Sequence, residues 1–132
     1  MIRKVSYVTI LVKDQEEALD FYAEKLGFET QHDETSKNGT RWLVVGPKAQ
    51  KDVGLTLLRA DKSSTEAVGR QGGDDPLLVF QTNNCLETYK ALKGKGVEFI
   101  GSPQERPWGV EVVFKDLYGN KFNLVQPKGW GE

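Results

Sequence analysis

A run of aromatic, β-branched and aliphatic residues follows Ser6 in SYVTILV, with Thr9 its one polar position, and predicts a strand with side chains on two alternating faces. Asp14 follows, with Glu17 three residues later, the arrangement that caps a helix N-terminus. Ala18, Leu19, Tyr22 and Leu26 then recur at helical spacing until Gly27 ends the helix. The same grammar returns at an offset of 70: PLLVFQT reads as a strand, Asn84 and Glu87 repeat the cap, and Leu86, Tyr89 and Leu92 line a helix face that Gly96 closes. Three strand-like runs follow each helix. They centre on Phe28 to Gln31, Arg41 to Val45 and Val53 to Leu58 in the first half, and on Val97 to Ile100, Val110 to Phe114 and Lys121 to Gln126 in the second.

Each half therefore reads strand, helix, strand, strand, strand. The fold class expected is α+β, two tandem βαβββ modules, with the first over about 1–60, the second over about 76–127, and the polar stretch DKSSTEAVGRQGGDD over about 61–75 as the linker. The last hairpin, DLYGNKFNLVQP, adds a question. Tyr118, Gly119 and Asn120 supply turn chemistry, and Asp116 is suited to accept the turn's backbone hydrogen bonds. Phe122 and Leu124 share one strand face, which leaves the polar Asn123 on the other with Lys121 and Val125. That second face is where function is sought.

Composition narrows the choices. A chain of 132 residues suits one domain or two small modules and can bury a core of its own. Lysine and arginine number 18 against 19 acids, so no global charge favours nucleic acid or an anionic membrane. No apolar run approaches the roughly 18 residues of a membrane span, and a cytoplasmic location is expected. One cysteine, Cys85, excludes an intrachain disulfide, and one histidine, His32, excludes a two-histidine metal site within the chain. His32 reads as a solvated histidine near the second strand, lacking the partners that catalysis needs. Cys85 stands at a helix N-terminus, where the helix dipole can lower a thiol pKa, with no second cysteine to work with.

YVTILVKD, EEALDFYAEKLGFE, the WG of Trp108 and Gly109, and KDLYGNKFNLVQP together resemble the vicinal oxygen chelate superfamily, the glyoxalase, bleomycin-resistance and extradiol-dioxygenase group. The resemblance covers nearly the whole chain. It implies modules that curl into mixed sheets around a cleft with helices outside, and commonly a homodimer. Under it, Val8, Ile10, Val12, Leu55, Leu57, Leu78, Phe80, Phe122 and Leu124 belong beneath the helices. Tyr7, Thr9, Leu11, Thr56, Leu77, Val79 and Asn123 belong to the cleft.

Metal-dependent relatives place ligands on the first and last strand of each module, positions that carry over to Tyr7, Thr56, Leu77 and Asn123. None is a histidine or carboxylate, so neither a metal nor another cofactor is expected. Trp42, Trp108, Tyr7 and Phe114, with Arg41 and Arg106 beside the tryptophans, suit a planar or amphipathic small molecule through stacking and cation–π contact. A strand tryptophan also serves as core or edge cover. Three functions stay open: metal-independent small-molecule binding that sequesters an aromatic or amphipathic compound such as an antibiotic; a glyoxalase-like lyase, isomerase or dioxygenase with an atypical metal site or none, in which Glu105 or Glu111 could serve as acid or base; and a structural dimerisation module.

Overall fold

The computed structural model describes residues 1–129. Eight strands and two main helices alternate in the expected order: β1 (Tyr7–Val12), α1 (Gln15–Leu19), β2 (Glu29–Thr35), β3 (Arg41–Gly46), β4 (Gly54–Arg59), β5 (Leu78–Gln81), α2 (Cys85–Gly94), β6 (Phe99–Arg106), β7 (Gly109–Lys115) and β8 (Lys121–Pro127). The chain divides into two compact units, the first ending at Val68 and the second beginning at Gly69. Each unit has its own four-stranded mixed sheet, ordered β1-β4-β3-β2 in the first and β5-β8-β7-β6 in the second. In both, the strand before the helix pairs in parallel with the last strand, and the remaining pairs are antiparallel.

The repeat is visible at atomic detail in the caps. Asp14 Oδ1 accepts from the Glu17 amide at 2.9 Å, and Asn84 Oδ1 accepts from the Glu87 amide at 3.0 Å. Gly27 and Gly96 follow the helices at φ of +78° and +89°, a region glycine enters without steric cost. The first helix departs from expectation after Leu19, where Asp20–Lys25 winds as a π-helix and Leu26 N–H donates to Phe21 O, five residues back. Phe21 and Tyr22, three and four residues after Ala18, fall on its buried face, so Phe21, not singled out in the sequence, joins the core.

One face of each sheet packs beneath its helix. Ile10, Val12, Leu43, Leu55 and Leu57 are buried in the first unit, and Val112, Phe114, Phe122 and Leu124 in the second. Phe80, Phe99, Phe114 and Phe122 form a ring cluster with centroids 5.1–6.2 Å apart. Strands β2 and β6 run further than the apolar pattern implies, taking in HDET and SPQER. Both are edge strands, paired on one side only, where polar side chains and a proline cost little. The closing hairpin is held by Asp116, whose Oδ1 accepts from the Tyr118 and Asn120 amides and whose Oδ2 accepts from the Asn120 side chain, each at 2.9 Å.

Candidate functional site

The faces turned away from the helices carry the candidate residues, and each unit is described by itself. In the second unit Glu111 and Val113 on β7 stand opposite Val125 and Asn123 on β8, so Glu111 and Asn123 share the helix-free face. Glu111 is the centre of the arrangement. Its Oε1 accepts from the Trp108 indole N–H at 2.8 Å and from Asn123 Nδ2 at 3.1 Å, and its Oε2 meets Arg106 Nε at 3.3 Å.

Burial pushes the Glu111 carboxyl upward, but the hydrogen bonds from Trp108, Asn123 and Arg106 outweigh it and hold the group below the usual carboxylate range. Trp108 remains 48% exposed, so its ring is fixed in orientation yet open to solvent. Asn123 Oδ1 is buried without a hydrogen-bond partner. Reversing the amide would set that oxygen against the carboxylate, so the orientation is determined. Asn123 thus fastens the carboxylate with its nitrogen and keeps an acceptor in reserve, which accounts for a polar residue between Phe122 and Leu124.

The local chain explains the approach of Trp108. Gly109 has φ of +147°, and a Cβ there would lie 2.1 Å from Gln126 O, so only glycine lets the β6–β7 turn close against β8. Leu77 precedes β5 and donates its backbone N–H to Lys121 O at 2.7 Å. Val79, two residues on, is 59% exposed. Glu105 pairs with Val110 and so lies on the face opposite Glu111.

In the first unit Tyr7 and Trp42 meet edge to face at a centroid distance of 5.2 Å, both partly exposed. Thr56 stands opposite Thr9 on β1 and Val44 on β3, on the same face; it is 4% exposed and its hydroxyl has no hydrogen-bond partner. His32 pairs with Val44, which brings it to this face beside a depression of about 440 Å³ that Tyr7, Gln31, Lys51 and Gly54 also line.

Two expected binding residues are elsewhere. Arg41 precedes Trp42 on a strand, so its side chain must point to the opposite face. There it forms ion pairs with Asp33 at 2.8 Å and Glu16 at 2.5 Å, and its partners raise its pKa further. Phe114 stands opposite Phe122 and is 1% exposed within the helix-side ring cluster, so it offers no surface to a ligand. Cys85 is placed as an unreactive cysteine, as its lack of a partner residue implied. Its side chain is buried, and burial pushes the thiol pKa up, with the Glu111 charge acting in the same direction; the helix-terminus effect is overcome.

A family model described as the glyoxalase/bleomycin resistance protein/dioxygenase superfamily matches residues 4–124. The chain belongs to that superfamily. A protein of Shewanella frigidimarina (strain NCIMB 400) is 34% identical over 128 residues, covering 96% of this chain and 95% of that relative. The crystal structure of UcmS2 superposes with a TM-score of 0.84 at 39% identity, over 95% of this chain and 98% of UcmS2. That of TnmS3, an antibiotic binding protein from Streptomyces sp. CB03234, does so with a TM-score of 0.80 at 33% identity, over 96% and 98%.

Within the superfamily fold, the four positions that resemblance assigns to a metal hold a phenol, a hydroxyl, an aliphatic chain and an amide. Among the described residues no group of three His, Cys, Asp or Glu side chains converges. The one carboxylate beside Asn123 already receives three donors. This donor set does not fit a divalent ion. Glu111 stood out in the sequence as a strand acid between Val110 and Val112 and a candidate acid or base, while its three donors are supplied only by the fold.

Proposed function

We propose that this superfamily member binds an aromatic or amphipathic small molecule on its helix-free sheet faces without a resident metal. The observation that carries this reading is Trp108, an exposed ring whose N–H is locked by Glu111 while Asn123 and Arg106 brace the same carboxylate. A tryptophan serving only as cover needs burial, not a fixed orientation toward solvent. Preorganised aromatic surface gives affinity because little side-chain freedom is lost on binding. The Tyr7–Trp42 pair supplies a comparable surface in the first unit. Likeness to TnmS3, an antibiotic binding protein, points to the same class of role and makes an antibiotic a fitting ligand.

Acid–base catalysis finds less support. Both Glu111 oxygens are engaged, and a carboxyl held below its ordinary pKa is a weak base near neutral pH. A structural dimerisation role would cover the same aromatic rings with a partner chain, and ligand binding by the assembled protein separates the two readings. Native mass spectrometry of the untagged protein purified from cells tests the proposal, including the expected homodimer. An organic adduct without metal supports it. One divalent ion per chain overturns it in favour of a metal-dependent activity.

A further inference from the structure

Gly46 and Gly54 lie in the sheet of the first unit, where glycine weakens a strand. Neither has a positive φ, so backbone freedom does not explain them. Space does. A Cβ on Gly46 would lie 2.5 Å from Gln31 Nε2, and a Cβ on Gly54 would lie 2.4 Å from Val44 Cγ1 and 2.6 Å from Gln31 Oε1, so Gly54 makes room for the neighbouring strand as well as for the amide. The two glycines leave a floor on which the Gln31 amide rests.

Gln31 reaches that floor through a bulge. The β2–β3 register steps between Thr30, opposite Val45, and His32, opposite Val44, leaving Gln31 as the extra residue. Bulges re-aim side chains in this way. The amide is then oriented by Nε2, which donates to Gln50 O at 3.1 Å. Its Oε1 is directed over Gly54, beside the Tyr7 ring, whose Cδ1 is 3.4 Å from the Gly54 Cβ position. Two residues along β4, on the same face, Thr56 is nine-tenths buried with an unpartnered hydroxyl. Gln31, Tyr7 and Gly54 all border the depression of about 440 Å³, a volume suited to a small organic molecule.

We propose that Gln31 is a specificity-determining residue of the first unit, selecting aromatic compounds that carry a hydroxyl or N–H donor. The ring lies against Tyr7, and the donor meets Gln31 Oε1. The proposal rests on the small-molecule-binding reading above.

The test compares 2-naphthol with 2-methylnaphthalene, which match in shape but differ in the donor, by equilibrium dialysis. The readout is the ratio of the two affinities. In Gln31→Leu the ratio should move toward 2-methylnaphthalene by several-fold to about tenfold, the worth of one hydrogen bond, with 2-methylnaphthalene affinity retained. Gly46→Ala should move it the same way, because the added methyl meets only the flexible end of Gln31 closely. Thermal unfolding of each variant verifies that it is folded. An unchanged ratio in folded Gln31→Leu overturns the role of Gln31 and leaves the binding reading intact. Failure of the wild-type protein to bind either naphthalene overturns the aromatic-binding reading itself.

Discussion

The two units repeat one architecture but arm it differently. In the second, three side chains expected at a binding site, Arg106, Trp108 and Asn123, converge on one carboxylate. In the first, the corresponding polar cluster has been built on the other face: Arg41 draws Asp33 and Glu16 together on the helix side, and the helix-free face keeps Tyr7, Trp42, the Gln31 amide and the Thr56 hydroxyl. The caps and closing glycines are shared at offsets of 69 to 70 residues, so the repeat preserves what the fold requires. The helix-free faces also bury Val44, Thr56 and Val125, so the chemistry diverges at the positions around them, at Tyr7 and Trp42 in one unit and at Glu111 and Trp108 in the other.

The largest expected effect separates the two aromatic surfaces. Trp108→Ala should weaken binding of an aromatic ligand by at least about tenfold, or ~1.4 kcal/mol, while the protein stays folded. Loss of folding would instead make Trp108 a core residue. Trp42→Ala, measured by the same titration, reports whether the first unit contributes equally; no change there would confine the ligand to the second.

Stability should then distinguish the two polar clusters. Glu111→Ala leaves the Trp108, Asn123 and Arg106 donors without their acceptor, and should lower the unfolding free energy by about 1–3 kcal/mol. Arg41→Ala disrupts ion pairs whose acidic partners are well exposed, and about 0–1 kcal/mol is expected. Chemical denaturation of both variants measures the contrast. Equal losses would remove the energetic distinction between the two clusters.

The caps give a smaller effect and, unlike the sites, an equal one. Asp14→Ala and Asn84→Ala should each cost about 1 kcal/mol, measured as a shift in denaturation midpoint. Unequal costs would show that the repeat is less symmetric in energy than in geometry.

What was legible in the sequence follows the same division. Caps, glycine stops and strand patterning are local, so the order of elements could be read from residue spacing, while the choice of the helix-side face came from the family resemblance. The π-helical turn could not be read that way, because the spacing of Ala18, Leu19, Tyr22 and Leu26 is that of an ordinary α-helix. Arg41 is an avoidable miss: its adjacency to Trp42 in a strand already assigns them to opposite faces. Phe114 required the β7–β8 register, which brings it opposite Phe122 and which the sequence does not state. Glu111 was visible as a strand acid, but its three donors come from the β6–β7 turn, the end of β6, and β8. Gln31 depends on a bulge and on two glycines distant in sequence, a three-part coincidence that appears only when the sheet is assembled.

Acidification offers the finest probe of the second unit, and the smallest effect, because burial and hydrogen bonding oppose one another at Glu111. Its carboxyl is held below the ordinary value of 4.5, so ionised Glu111 contributes stability at pH values above that of the unfolded chain. The contribution is lost as pH falls below about 4.5 and through the lowered folded value. Protonation also removes charge from the acceptor of the Trp108 indole, so the ring should loosen over the same window. With the other two tryptophans replaced by phenylalanine, Trp108 fluorescence should change on acidification in the parent protein and stay flat in Glu111→Gln. A transition that persists in Glu111→Gln would assign it to another carboxyl. It would leave the Trp108 orientation independent of charge, and the two units would then differ in shape rather than in electrostatics.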